Sequence, residues 1–154
     1  MPEENKNVLV GLGVIILRKD GKVLIGKRNG EFVPEYSIPG GSLEAGETFE
    51  EGAIREVMEE TGMVIKDPKI VGISNNLETY KKTGKHYISV NLLATDFSGE
   101  PQVMEKDKCA GYGWYDPEKV PEPHFEASKK GLESYFNGER GVSLMMADAP
   151  RSSD

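Results

Sequence analysis

The feature that most constrains the fold is a ten-residue apolar run, Val8 to Leu17, which leads into Asp20-Gly21 and a second apolar stretch at Val23-Leu24-Ile25. A bilayer span needs about 20 apolar residues, so this run is too short to cross a membrane. The residues ahead of it include Glu3 and Glu4 rather than the basic start of a signal peptide. It therefore reads as a buried strand. Asp-Gly is a hairpin turn signal, so the next stretch, Lys22 to Lys27, is expected to return antiparallel to it. A chain that opens with a hairpin is not an all-parallel doubly wound sheet.

Further strands are expected at Tyr36-Ser37-Ile38, at Ile70 to Ile73, at His86 to Ala94 and at Tyr112 to Tyr115. A loop with Gly30 and Pro34 spans 29–35, the polar Lys81-Lys82-Thr83-Gly84 reads as a turn, and 96–108 reads as a loop. A second helix is expected over Phe125 to Phe136, with Phe125, Leu132, Tyr135 and Phe136 as core anchors. Strands mixed with two helices argue for an α/β or α+β layered domain. The 154 residues suggest one domain over 1–154, with a core of about 8–136 and a loosely held tail over 137–154.

The formal net charge is −7 and no basic run occurs, which argues against a general nucleic-acid binder. No membrane partner is indicated either. Cys109 is the single cysteine, so no internal disulfide forms. A reducing, cytoplasmic setting follows as the expectation. Cys109 reads as a packing residue, since no cysteine-nucleophile signature surrounds it.

The best-defined helix lies between Thr48 and Gly62. Thr48 and Glu51 have capping-box spacing, and Gly62 is a natural C-terminal stop. Inside it Glu56, Glu59 and Glu60 fall at i, i+3 and i+4, within an arc of about 100°. Ala53, Ile54, Val57 and Met58 occupy much of the opposite side and are expected to face a core. Three like charges in one turn repel, and a hard divalent cation offsets that repulsion. Taken alone, however, the three carboxylates describe a solvated acidic face more readily than a metal site.

The wider pattern shifts that balance. Gly41, Glu47, Arg55, Glu56, Val57, Glu59, Glu60, Gly62 and Met63 occupy the positions of the Nudix box, Gly-x5-Glu-x7-Arg-Glu-aliphatic-x-Glu-Glu-x-Gly-aliphatic. Its fixed identities match a given window by chance on the order of once in ten million. Met63, unbranched where the family prefers an aliphatic residue, is a mild departure. The segment resembles that of Nudix hydrolases. The resemblance implies an α/β/α sandwich with a mixed sheet and a catalytic loop–helix–loop.

By position, Glu56, Glu59 and Glu60 resemble the family's metal-binding and base-activating carboxylates, with the Gly40 carbonyl as a backbone ligand. Glu47 and Arg55 resemble the pair that braces loop against helix, so Gly41, Glu47, Arg55 and Gly62 are read as structural. The implied cofactor is Mg²⁺, with Mn²⁺ as its substitute. Flanking segments over roughly 8–136 resemble MutT-like nucleoside triphosphate pyrophosphohydrolases, in which a later acid often approaches the metal. Glu105 and Asp107 are the two candidates. The implied reaction is hydrolysis of a nucleoside triphosphate, oxidised or non-standard ones included, to the monophosphate and pyrophosphate.

Lys27 and Arg28 are candidate phosphate contacts, and Tyr36 and His86 candidate substrate contacts. Each has an ordinary structural reading beside it. Tyr80 resembles a marker of dinucleoside polyphosphate hydrolases, which keeps those substrates as an alternative; ADP-ribose is a further alternative, although no proline stands at the position that would suggest it. His124 reads as a surface residue and Trp114 as core. A non-catalytic nucleotide sensor is the rival from another class, but it is expected to lose box carboxylates that this chain keeps. Relatives of this type are often dimers, so a homodimer is the implied assembly, and a small-molecule nucleotide the implied partner.

Overall fold

A computed structural model describes residues 7–29 and 35–138. The expected loop positions Gly30 and Pro34, and the tail over 139–154, lie outside the described residues. The elements are β1 (Val8–Ile16), β2 (Val23–Arg28), β3 (Tyr36–Ser37), β4 (Gly40–Ser42), α1 (Phe49–Thr61), β5 (Val64–Lys66), β6 (Lys69–Asn75), α2 (Leu77–Thr83), β7 (His86–Ala94), β8 (Asp96–Ser98), β9 (Cys109–Tyr115) and α3 (Glu126–Phe136).

A mixed sheet runs in the order β4-β1-β7-β6, with β1 and β7 parallel and the outer pairs antiparallel. An antiparallel sheet, β3-β2-β9, and a β5-β8 pair complete it. The opening hairpin forms only at its turn. Arg18 N–H donates to the Lys22 carbonyl, and Leu17 bridges Val23. Beyond that point the strands part into different sheets, because β4 and β7 already take both edges of β1.

Alternation along β1 builds the layers. Leu12, Val14 and Ile16 face one core with Leu24, Val90, Leu92 and, from α1, Ala53 and Val57. Ile15 faces a second core with Ile25, Ile38 and, from α3, Leu132. The two helices thus cover opposite faces, giving the α/β/α sandwich. Met63 is fully buried in the first core, so its unbranched side chain fills the expected aliphatic position. Among the described residues no helix is long and apolar enough to cross a membrane.

α1 has the expected ends. Thr48 Oγ1 accepts from Glu51 N–H at 3.0 Å, Glu51 Oε1 accepts from Thr48 N–H at 2.9 Å, and Gly62 is left-handed at φ 76°. Gly52 lets the helix approach β1, since a Cβ there would lie 2.6 Å from Leu12 Cδ1. Two expected core residues of this helix, Ile54 and Met58, are instead exposed. The helix has rolled so that Gly52, Ala53, Val57 and Thr61 face inward.

The segment read as a polar stretch and turn is a short helix, α2. Its signal is not local: Asn76 makes no side-chain cap bond. Glu126 of α3 caps it instead, accepting from Thr79 N–H at 2.8 Å, Thr79 Oγ1 at 2.6 Å and Glu78 N–H at 3.3 Å. The loop expected over 96–108 begins as β8, paired with β5.

Candidate active site

Helix α1 presents its three carboxylates differently. Taking about 100° per residue, Glu60 and then Glu56 border one side of the inward arc of Ala53, Val57 and Thr61, and Glu59 points further out on that side. The Glu56 side chain is 13% exposed and that of Glu59 is 49% exposed. The expectation that all three share a solvent face is thus corrected, because α1 wedges two of them against β4. Glu60 Oε1 accepts from the Gly40 N–H at 3.1 Å. The Glu56 carboxylate lies against Gly41, where a Cβ would come within 2.2 Å of Oε2. Both positions carry glycine because carboxylates occupy, or backbone closes, the space a side chain needs. At Gly40 that backbone is the Leu12 carbonyl oxygen, 2.0 Å from an added Cβ.

Burial sets the electrostatics. It pushes the Glu60 carboxyl up to about 8, against the Gly40 hydrogen bond, with the charges of Glu56 and Glu105 adding to the effect. It raises Glu56 too, opposed by Arg55, and Glu59 and Glu105 push the same way as burial. Glu105 thus acts on both carboxylates. It opens a turn in which Lys108 and Cys109 N–H donate to its carbonyl, and Asp107 is exposed within that turn.

Arg55 ties loop to helix. Its Nε and Nη2 donate to the two Glu47 oxygens at 2.5 and 3.0 Å, and Nη2 also donates to the Ser42 carbonyl at 3.0 Å. Nη1 bridges Glu56 at 3.1 Å and Glu59 at 3.2 Å. Glu47 Oε1 accepts from Glu44 N–H as well, and the Arg55 hydrogen bond holds its carboxyl below the usual range.

A cleft of about 410 Å³ adjoins the two carboxylates along Gly40, Gly41 and Ser42. Its floor combines Gly11 and Gly13 of β1 with Tyr87, Ser89 and Asn91 of β7. Arg28, Lys82 and Lys85 supply positive charge to its wall, and α3 contributes Glu126 and Ser128 beside Phe125 and His124.

The expected site residues divide accordingly. Gly40, Gly41, Glu47, Arg55, Glu56, Glu60 and Glu105 come together. Arg28 lines the cleft, its guanidinium 4.6 Å over the Phe125 ring and 3.6 Å from Glu35. Lys27 is exposed and Tyr36 packs into the second core, and neither lines the cleft. His86 also lies outside it, with Nε2 2.6 Å from Asn75 Oδ1 and its ring beside Tyr80. His124, read as surface, is buried: Nε2 accepts from Ser128 Oγ at 2.6 Å, and Nδ1 donates to the Pro121 carbonyl at 3.2 Å. Ser128 Oγ accepts in turn from Ile38 N–H at 2.9 Å, so α3 holds the strand that leads to Gly40. Sequence reasoning misses Ser89, Asn91, Lys82 and Lys85. The one available signal is the pair of glycines, Gly11 and Gly13, inside an otherwise bulky strand.

The donor set is all oxygen, with two half-buried like charges that a divalent cation would neutralise, which fits Mg²⁺. Among the described residues no three acidic, histidine or cysteine groups already meet at ligand distance. Mg²⁺ characteristically takes one or two carboxylates plus substrate phosphates rather than a full protein cage, so the fit stands.

The family profile described as NUDIX domain matches residues 8–135. The chain belongs to the Nudix family, enzymes that hydrolyse pyrophosphate bonds of nucleotide derivatives and generally use a divalent metal. An ADP-ribose pyrophosphatase of Methanocaldococcus jannaschii is 31% identical over 127 residues, covering 82% of this chain and 72% of that protein. An RNA pyrophosphohydrolase of Zymomonas mobilis is 26% identical, covering 92% of this chain and 99% of that protein. The crystal structure of a MutT NUDIX hydrolase from Burkholderia pseudomallei superposes with a TM-score of 0.76 at 29% identity, covering 83% of this chain and 98% of that one.

Proposed function

We propose that the protein is a Mg²⁺-dependent nucleoside triphosphate pyrophosphohydrolase that releases the monophosphate and pyrophosphate. The observation that carries this reading is the adjacency of Glu56 and Glu60, across the glycines of β4, to a cleft whose wall carries Arg28, Lys82 and Lys85 alongside Glu35 and Glu126. A nucleoside lodged in the cleft extends its phosphates along Gly40 and Gly41 towards the carboxylates. Glu56, Glu60 and Glu105 would hold the cation, which would supply neutralisation of charge on the phosphoryl oxygens and activation of the attacking water. Glu59, the most exposed of the three helix carboxylates, is the proposed acceptor of the water's proton. Glu105 is preferred over Asp107 as the later acid, because its charge acts on both Glu56 and Glu60.

A second reading, hydrolysis of ADP-ribose, is supported by the name of the Methanocaldococcus relative. A panel of nucleoside triphosphates, ADP-ribose and dinucleoside polyphosphates, assayed with Mg²⁺ for pyrophosphate against phosphate release, separates the two. Pyrophosphate and a monophosphate from a triphosphate support the first reading. Turnover of ADP-ribose alone rejects it.

A further inference from the structure

Asn91 is 3% exposed, yet among the described residues its carboxamide has no hydrogen-bond partner. Unlike Asn76 Oδ1, its polar atoms are not sealed off, so the amide opens onto the cleft that it lines and is free to meet a ligand there. Its surroundings show that the position is kept open. Asn91 pairs in register with Gly13 of β1, and a Cβ on Gly13 would come within 2.7 Å of Asn91 Oδ1. From above, a Cβ on Gly131 of α3 would meet the same group at 2.9 Å. Two glycines from different elements thus make room for one amide, and that amide lines the cleft.

The neighbourhood repeats the theme. Ser89, two residues before Asn91 on the same face of β7, pairs with Gly11. Asn76 Nδ2 donates to Ser89 Oγ at 2.8 Å, while Asn76 Oδ1 is buried without a partner. The cleft floor is therefore glycine on one strand and polar groups with spare hydrogen-bonding capacity on the next. Such a floor suits a flat ligand with a polar edge, not an aliphatic one.

We infer that Asn91 reads the nucleobase: its carboxamide, between Gly13 and Gly131, hydrogen-bonds a base edge that carries a donor beside an acceptor. The inference rests on the proposed nucleotide chemistry for the location of the phosphates. It goes beyond it in assigning the residue that senses the base. Nothing on the protein pins the carboxamide, so it presents donor and acceptor in either order. Asn91 then separates natural bases from analogues with an incomplete edge, rather than one natural base from another.

The test compares ATP and GTP with purine riboside triphosphate, which lacks the exocyclic group. In the wild-type enzyme the analogue is expected to fall about 10- to 100-fold below ATP in kcat/KM, the discrimination expected of a bidentate amide. In Asn91→Leu that ratio is expected to shrink to within about threefold. Asn91→Asp offers only acceptors, so it is expected to shift preference towards GTP, whose base sets two donors side by side (N1–H and the 2-amino group), over ATP and CTP, whose amino group sits beside a ring-nitrogen acceptor. Gly131→Ala leaves the amide in place but crowds it, and is expected to narrow the analogue ratio as Asn91→Leu does. A wild-type ratio near one, or an equal loss on every nucleotide in all three variants, overturns the inference.

Equilibrium binding of AMP against purine riboside monophosphate, without Mg²⁺, repeats the comparison without turnover. If no triphosphate is hydrolysed, the proposed function fails while binding still decides on Asn91. Loss of the AMP preference in Asn91→Leu supports the role, and its persistence rejects it.

Discussion

Glu60 accepts the Gly40 N–H at 3.1 Å, which joins the inner carboxylate of α1 to the backbone of β4. That one bond sets a carboxylate and a glycine-lined strand beside each other at the mouth of the cleft. Burial there, working against that hydrogen bond, pushes the Glu60 carboxyl up to about 8. In metal-free protein the folded state therefore binds a proton more readily than the unfolded chain, whose ordinary value is 4.5. The stability contribution is fully present below pH 4.5 and is lost as pH rises through about 8. Melting temperature measured with a chelator is expected to fall over that window. In Glu60→Gln the fall is expected to flatten, and Mg²⁺-dependent turnover to drop about 10²- to 10⁴-fold. A pH slope identical in both proteins contradicts the assignment.

Arg55 holds the loop by a planar fork, with Nε and Nη2 on Glu47 and Nη2 also on the Ser42 carbonyl. Lysine keeps the charge but not the fork. Arg55→Lys is expected to lower the melting temperature and to speed amide exchange at Glu44, whose N–H depends on the oriented Glu47. Misplacing the loop is expected to cost on the order of 10²-fold in turnover. Unchanged exchange at Glu44 rejects the bracing role.

His124 carries a pH dependence of the opposite sign. Burial lowers its pKa below the ordinary 6.5, so the folded state resists protonation that the unfolded chain accepts. Its contribution is present above pH 6.5 and is lost as pH falls through the lowered folded value. The reason is local: a protonated ring has no lone pair to accept from Ser128 Oγ, which itself supports Ile38 N–H. Between pH 7 and 5 the wild type is expected to lose more melting temperature than His124→Gln. Circular dichroism melts over that range decide it.

The contrast between these elements explains what is legible in the sequence. α1 reads well because both ends are written locally, in Thr48 with Glu51 and in Gly62. α2 does not, because its cap is Glu126, which lies 47 residues from Thr79. The opening turn is legible, but the separation of β1 from β2 depends on β4 and β7 claiming the edges of β1, a fact about distant segments. At the site, the box spacing identifies Glu56 and Glu60, whose positions follow from one helix. The cleft residues Ser89, Asn91 and Lys82 sit on elements joined only by the fold. Tyr36 and His86 carry suitable chemistry, but their strand positions turn them towards the second core and towards Asn75.

Gly41 and Gly40 separate catalysis from folding most cleanly. The three atoms nearest to a Cβ on Gly41 would all belong to the Glu56 carboxylate, the end of a flexible side chain, at 2.2–2.5 Å. The side chain can swing away, so Gly41→Ala is expected to fold with a melting temperature close to wild type. The displaced Glu56 no longer faces the cation site, so turnover is expected to fall on the order of 10²-fold, with a higher Mg²⁺ concentration needed for half-activity. A Cβ on Gly40 would instead lie 2.0 Å from the Leu12 carbonyl oxygen, which is backbone and cannot yield without shifting β1. Gly40→Ala is therefore expected to lose stability as well as activity. Parallel melts and Mg²⁺ titrations of the two variants check both halves. Equal destabilisation in both would show that Gly41 serves the fold and not the carboxylate.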